Sequence, residues 1–385
     1  MHICKQLLLR RDQLVSWLAC ASIFVCVSAL AAQDLQVEAD SPLNVPTVPE
    51  LPLDVPLVPP VLSVPPVPPV PGTSPTVSLP EGYWIVSTWH SPQTFDDGPL
   101  QFCPEVKRID QGVQMRLTSI DELAQSLIPG VPVCIMVHGS FMDSPSVYPE
   151  SCDTWNWLRA GSCGLPFQMI YFSWPSDRPL SALASIDVAV LGKRASRNGF
   201  YLTSLINKLP PDCPLCLLGH SHGTRVISSS LHLMAGGSVE GYQHSQPGNA
   251  GRRIRTVFAA SAIDHDWLNP GQRFDRALCM TECLMNLQNH MDPALKIYPL
   301  RRIGSSRALG CTGFTEKDQR ELGESRRRVS NWDVSETIGM GHLWPNYVKR
   351  PALASQLRNY FFYADMPQIM LQEEEVSPQA AMTNH

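Results

Sequence analysis

The sequence predicts an α/β protein, a mostly parallel sheet with helices on both faces. Two observations carry that expectation. Val131–Val137, Phe167–Ser173 and Pro214–Gly219 are continuous apolar runs, the pattern of strands buried on both faces. Helix-patterned segments alternate with such runs from Tyr83 almost to the end of the chain, as parallel crossovers require. A net charge of −5 and a pI near 6.1 exclude a basic nucleic-acid surface.

The first segment reads as an export signal. Lys5, Arg10 and Arg11 form a basic region, Leu14 to Ala32 is apolar, and Ala29-Leu30-Ala31 supplies small residues for cleavage. The apolar run is long enough that an uncleaved membrane anchor is the alternative. Residues 1–31 are therefore assigned to the signal and 32–80 to a spacer. In the latter, fourteen of the forty residues from Ser41 to Pro80 are proline. Proline fixes φ and removes donors, so the spacer is expected to be extended. Residues 81–365 form the expected catalytic domain, and 366–385 an acidic tail. An exported location follows: periplasm, cell envelope or medium.

Of twelve cysteines, nine lie beyond the signal. In an oxidising compartment Cys152–Cys163 and Cys279–Cys283 are the close-spaced disulfide candidates. Cys213-Pro-Leu-Cys216 runs straight into a strand and is read as structural. No cysteine or histidine pairs stand at zinc spacing, and no cofactor is called for.

In chain order, Tyr83–Thr88 is a strand by propensity and Gln114–Leu117 a second. Ser119-Ile-Asp-Glu122 has capping-box form and opens a short helix. The strand Val131–Val137 ends in His138-Gly139-Ser140-Phe141, where glycine lets backbone approach a ligand. Phe167–Ser173 ends in Trp174-Pro175-Ser176. Ala182–Leu209 and Thr224–Ala235 carry helical spacing, and Ile254–Ala260 is a strand delivering Asp264 and Asp266 past its end. Leu284–Leu287 is followed by Asp292. Trp332–Ile338 reads as a last strand, followed by Gly339-Met-Gly-His342, and Leu353–Tyr363 as a closing helix.

The most informative stretch is Gly219-His220-Ser221-His222-Gly223, a G-x-S-x-G between a strand and a helix. Such a turn holds a serine hydroxyl clear of the surface and demands glycine on both sides. A serine hydroxyl needs an adjacent base, and the base needs a carboxylate to fix its tautomer. His342 is the histidine late enough in the chain to serve, Asp292 the expected acid, and Asp264 the alternative. The backbone amide of His222, with that of Ser140 or Phe141, would receive the oxyanion. His220 and His222 themselves are expected to point away around the turn. Walls of the substrate pocket are expected from the Cys152–Cys163 region and the Gly236–Gly251 loop. The arginine-rich loop from Arg301 to Arg328 is a candidate anion binder on the same side.

The set V-H-G-S, F-S-W-P-S, G-H-S-H-G, N-H-M-D and G-H-L resembles the α/β-hydrolase superfamily over Tyr83–Ala364. Within it the chain is similar to the bacterial branch of unknown function marked by W-P-S after the fourth strand. The resemblance implies Ser221 as nucleophile, Asp292 as acid and His342 as base. It implies a carboxylic ester or thioester substrate, small or lipid-like, cleaved through an acyl-enzyme. An acyltransferase, or a silent hydrolase fold acting as an envelope scaffold, are the alternatives.

Overall fold

The computed structural model describes residues 81–366 apart from 97, 99, 111–113, 179–183, 250 and 302–303. The expected export signal, the proline-rich spacer and, from residue 367 on, the acidic tail lie outside the described residues. Among the described residues no helix is long and apolar enough to cross a membrane.

The chain enters through β1 (Gly82–Ser87), which turns back as β2 (Glu105–Asp110) and β3 (Gln114–Thr118). Strand β2 pairs antiparallel with both neighbours, Gly82 of β1 lying opposite Asp110 and Thr118 of β3 opposite Val106. Helix α1 (Ile120–Ser126) opens on half of the expected capping box: the Ser119 hydroxyl accepts the Glu122 N–H at 3.1 Å, while the Glu122 carboxylate accepts from Arg116 at 2.6 Å.

Continuous apolar runs cannot present a polar face to water. Accordingly β4 (Val133–Val137), β5 (Gln168–Ser173) and β6 (Leu215–His220) are buried at every position. Strands β9 (Ile254–Ala259), β10 (Cys283–Gln288) and β11 (Val329–Asp333) complete a nine-stranded sheet in the order β11-β10-β9-β6-β4-β5-β1-β2-β3. Every pair is parallel except those of β2 with its neighbours. A hairpin of two-residue strands, β7 (Ser238–Val239) and β8 (Tyr242–Gln243), stands apart.

The strand period of two sends alternate side chains into separate cores. Val133, Ile135 and Val137 enter one with Leu215 and Leu217, whereas Cys134 and Met136 enter the other with Cys216 and Leu218. Helices α3 (Ala184–Lys208) and α4 (Gly223–Met234) cover the first face. Helix α2 (Ser144–Ser162) and the C-terminal helices cover the second. The architecture is thus the expected α/β one.

Three details differ from the sequence reading. Helix α2 fills a region given no helix, capped by Asp143 accepting the Ser146 N–H at 3.0 Å and running through Pro149 without a break. The last strand stops at Asp333, whose carboxylate accepts the Ser335 N–H at 2.9 Å and turns 335–338 into a helical turn. The expected closing helix Leu353–Tyr363 is instead two short helices, Pro351–Gln356 and Arg358–Phe361, preceded by a further one at Pro345–Val348.

The disulfide expectation also changes. All nine cysteines among the described residues are free thiols. Cys152 lies inside α2 and Cys163 caps it, so a rise of about 1.5 Å per residue separates them by roughly 16 Å. A bridge needs Cα atoms about 4.4–6.8 Å apart. Cys279 sits in a 3-10 turn and Cys283 begins β10, both unpaired. Cys213 and Cys216 are buried, and burial pushes their thiols up, consistent with a structural role.

Candidate active site

Sheet order places the site. From β4 the chain moves outward to β5, then returns to β6 on the other side of β4. A crevice opens beyond the carboxyl ends of two such strands, where the winding reverses. The loops after β4 and β6 are the ones carrying His138–Phe141 and Ser221.

At the end of β6 the chain turns sharply. Ser221 adopts φ 51°, a left-handed conformation costly for a residue with a Cβ. The turn is secured from both directions. The Ser221 N–H donates to Ala259 O at 3.0 Å, extending the ladder to β9. Its carbonyl accepts the Thr224 hydroxyl at 2.6 Å and the Thr224 N–H at 3.1 Å. A Cβ on Gly223 would lie 2.1 Å from the Val137 carbonyl, and one on Gly219 2.9 Å from the Thr224 nitrogen. Both positions demand glycine: at Gly223 the start of α4 presses against the end of β4, and at Gly219 the same helix folds back on β6.

Ser221 Oγ lies 3.2 Å from His342 Nε2, and His342 Nδ1 lies 2.7 Å from Asp292 Oδ2. Ser221 and His342 retain some exposure, while Asp292 has none. Asp292 has two tasks. Its other oxygen caps α5 (Pro293–Lys296), accepting the N–H groups of Ala294 at 2.9 Å and Leu295 at 3.2 Å. Asp264, the alternative acid, is directed elsewhere: Tyr298 OH donates to it at 2.9 Å and the Ser306 N–H at 3.1 Å. The ring nitrogen it would need is occupied by Asp292.

The histidines beside Ser221 do not point away as expected; both line the cavity. His220 Nε2 donates to the carbonyl of His342 at 2.8 Å, fixing the backbone of the loop that carries that ring. Burial, and then the neighbouring His342, push its pKa down to about 3, so it stays neutral. Its ring packs on Trp344 and Tyr347. The hydroxyl of Ser140 and His222 Nδ1 lie 2.6 Å apart, joining the two loops across the crevice. Asn289, fully buried, donates to Gly339 O at 2.9 Å and so ties the end of β10 to the His342 loop.

The segment after β4 is braced by the W-P-S residues. His138 Nδ1 donates to Gly139 O at 2.8 Å, and its Nε2 accepts the Trp174 N–H at 3.1 Å. Trp174 Nε1 donates to His138 O at 2.8 Å. Burial holds His138 near pKa 4. A Cβ on Gly139 would stand 2.8 Å from His220 Nδ1 and 3.0 Å from Ser221 Cβ. Here the structure corrects one expectation. The Phe141 N–H donates to Ser176 O at 2.7 Å, because φ 65° turns that amide back toward the W-P-S segment. Phe141 therefore has no amide to offer the crevice. Among the described residues no acceptor is bonded to the Ser140 N–H.

The cavity over Ser221 measures about 410 Å³. Phe141, Met142, Val188, Leu295, Ile297 and Leu343 make most of its wall apolar. Ser146 and Glu150 of α2 and the segment 294–300 form two sides. No residue of the expected Cys152–Cys163 wall lines the cavity; the start of α2 takes its place. The Gly236–Gly251 loop lies elsewhere, since its hairpin follows the far end of α4. The Arg326–Arg328 run forms a 3-10 turn entering the amino end of β11, opposite the crevice. It gives no support to an anion site there. Among the described residues no group of three or more histidine, cysteine or acidic side chains is arranged to hold a metal.

No family model matches the chain, and no curated protein matches it. Among solved structures, it is similar to the catalytic core domain of acetyl xylan esterase from Trichoderma reesei. That similarity runs at 13% identity over 61% of this chain and 99% of the other, with a TM-score of 0.30.

Proposed function

We propose that the protein is a serine hydrolase of the α/β-hydrolase type that cleaves a carboxylic ester or thioester. The observation carrying this reading is the relay from Ser221 Oγ through His342 to buried Asp292, at 3.2 Å and 2.7 Å, opening on an apolar cavity. In this reading His342 Nε2 takes the Ser221 proton as Oγ attacks the acyl carbonyl. Asp292 keeps the remaining ring proton on Nδ1 and stabilises the imidazolium. The oxyanion is received between the Ser140 N–H and the His222 N–H at the start of α4, where the helix dipole adds positive potential. His342 then protonates the leaving group, and water, activated by the same nitrogen, releases the acid from Ser221. The apolar wall accommodates an uncharged acyl chain. We further propose, on the sequence resemblance and the expected export signal alone, that the chain is an exported member of the W-P-S branch of that superfamily.

A fluorophosphonate probe and a series of 4-nitrophenyl esters of rising chain length test the reading. The wild type is expected to be labelled and to turn over at least one ester, and Ser221→Ala to lose both. A folded wild type that neither labels nor hydrolyses would favour the silent scaffold instead.

A further inference from the structure

One carboxyl in the cavity has no part in the relay. Glu150, on α2, is the sole acidic side chain among the described residues lining it, and no lysine or arginine lines it among them. One of its oxygens accepts the Tyr171 hydroxyl at 2.7 Å. That contact fixes the carboxyl against the end of β5 beneath the site, because Tyr171 stacks on His138 with ring centres 5.8 Å apart. We propose that Glu150 determines acyl specificity, admitting neutral acyl groups and repelling those that end in a carboxylate once it ionises. The inference rests on the ester-hydrolase reading and names the substrate class of the same cavity.

The electrostatics follow from the surroundings. Burial pushes the Glu150 carboxyl up to about 7; the Tyr171 hydrogen bond works against this, and Asp153, one turn along α2, adds to it. The groups acting on it are Asp153 on its own helix and Tyr171 from β5. His138 lies behind Tyr171, and His220, His222 and His342 stand around the shared cavity. His138 and His220 are held neutral well below this range. Across the neutral range, then, Glu150 passes from an uncharged hydrogen-bonding group to an anion in a wall with few polar groups. Two like charges there repel strongly.

The test compares kcat/KM for 4-nitrophenyl hexanoate with that for the 4-nitrophenyl monoester of adipic acid, of equal carbon count, from pH 5.5 to 8.5. Both substrates use the same Ser221–His342 relay, so any pH effect on the chemical step cancels in the ratio. In the wild type the preference for hexanoate is expected to rise about tenfold or more over that interval. In Glu150→Gln, which preserves an acceptor for Tyr171, the preference is expected to be smaller and independent of pH. Hexanoate turnover by the variant checks that the site is intact. A flat ratio in the wild type overturns the proposal whether or not the variant folds. Persistence of the pH dependence in Glu150→Gln overturns it too, assigning the effect to another group. Absence of hexanoate turnover in the wild type, or its survival in Ser221→Ala, removes the ester-hydrolase reading and this one with it.

Discussion

Asp292→Asn separates the two tasks of one buried side chain. The asparagine carbonyl can remain where Oδ1 accepts the Ala294 and Leu295 N–H groups, so the α5 cap survives. The amide nitrogen then faces His342 Nδ1, which at 2.7 Å must become the acceptor. The ring proton is forced to Nε2, where it confronts the Ser221 hydroxyl instead of receiving its proton. The analogous change in a serine protease lowers kcat about 10⁴-fold, which is about 5.5 kcal/mol of transition-state stabilisation. Asp292→Ala loses the cap as well, at about 1 kcal/mol, or roughly 2 °C in Tm for a domain of this size. Both variants should therefore be nearly inactive toward 4-nitrophenyl esters, while thermal unfolding detects a clear loss only in the alanine variant. If Asp292→Asn kept kcat/KM within tenfold of the wild type, Asp292 would be a helix cap and the relay reading would be wrong.

Further outcomes follow from other groups. His138 and His220 have folded pKa values depressed to about 4 and about 3 from an ordinary 6.5. The unfolded chain thus binds protons first, so their stabilisation is complete above pH 6.5 and is lost as pH falls toward those values. The loss is about 1.4 kcal/mol per pH unit for each ring. Glu150, raised to about 7, acts in the opposite sense, losing stability as pH rises from its unfolded value. Urea unfolding at pH 7.5, 5.5 and 4.5 should show a shallower acid dependence in His138→Gln than in the wild type; equal slopes would contradict the buried neutral ring. For the cysteines, alkylation without reductant followed by mass spectrometry should modify Cys103, Cys163 and Cys279 in the native protein. Cys134, Cys213 and Cys216 should react only after unfolding. A pair that stays unmodified in denaturant would restore a disulfide.

The sequence makes the centre of the sheet legible because β4, β5 and β6 are buried on both sides and must be continuously apolar. It hides β2, whose Glu-Val-Lys-Arg-Ile-Asp has four charged residues to two apolar ones: Val106 and Ile109 enter opposite cores, and Arg108 is buried over the Trp84 ring. It hides α2 as well, since Pro149 reads as a breaker although the helix continues past it. Chain order alone brings forward Ser221, Asp292 and His342, which the fold draws into hydrogen-bonding distance. What His220, Asn289 and Trp174 hold is not legible, because each partner lies on another strand end: His220 reaches a carbonyl 122 residues away. The orientation of the Phe141 amide depends on a single positive φ that nothing in the residue type announces.

The bonds between His138–Phe141 and Trp174–Ser176 have a consequence for how such a site can change. Each loop supplies the other's backbone partners, so neither can be lengthened, shortened or transplanted alone without stranding an amide or a carbonyl. The two strand ends are inherited as a single part. Variation in what the cavity accepts must then arise on the opposite banks, along α2 and residues 294–300, where side chains can be exchanged while the braced loops remain as they are.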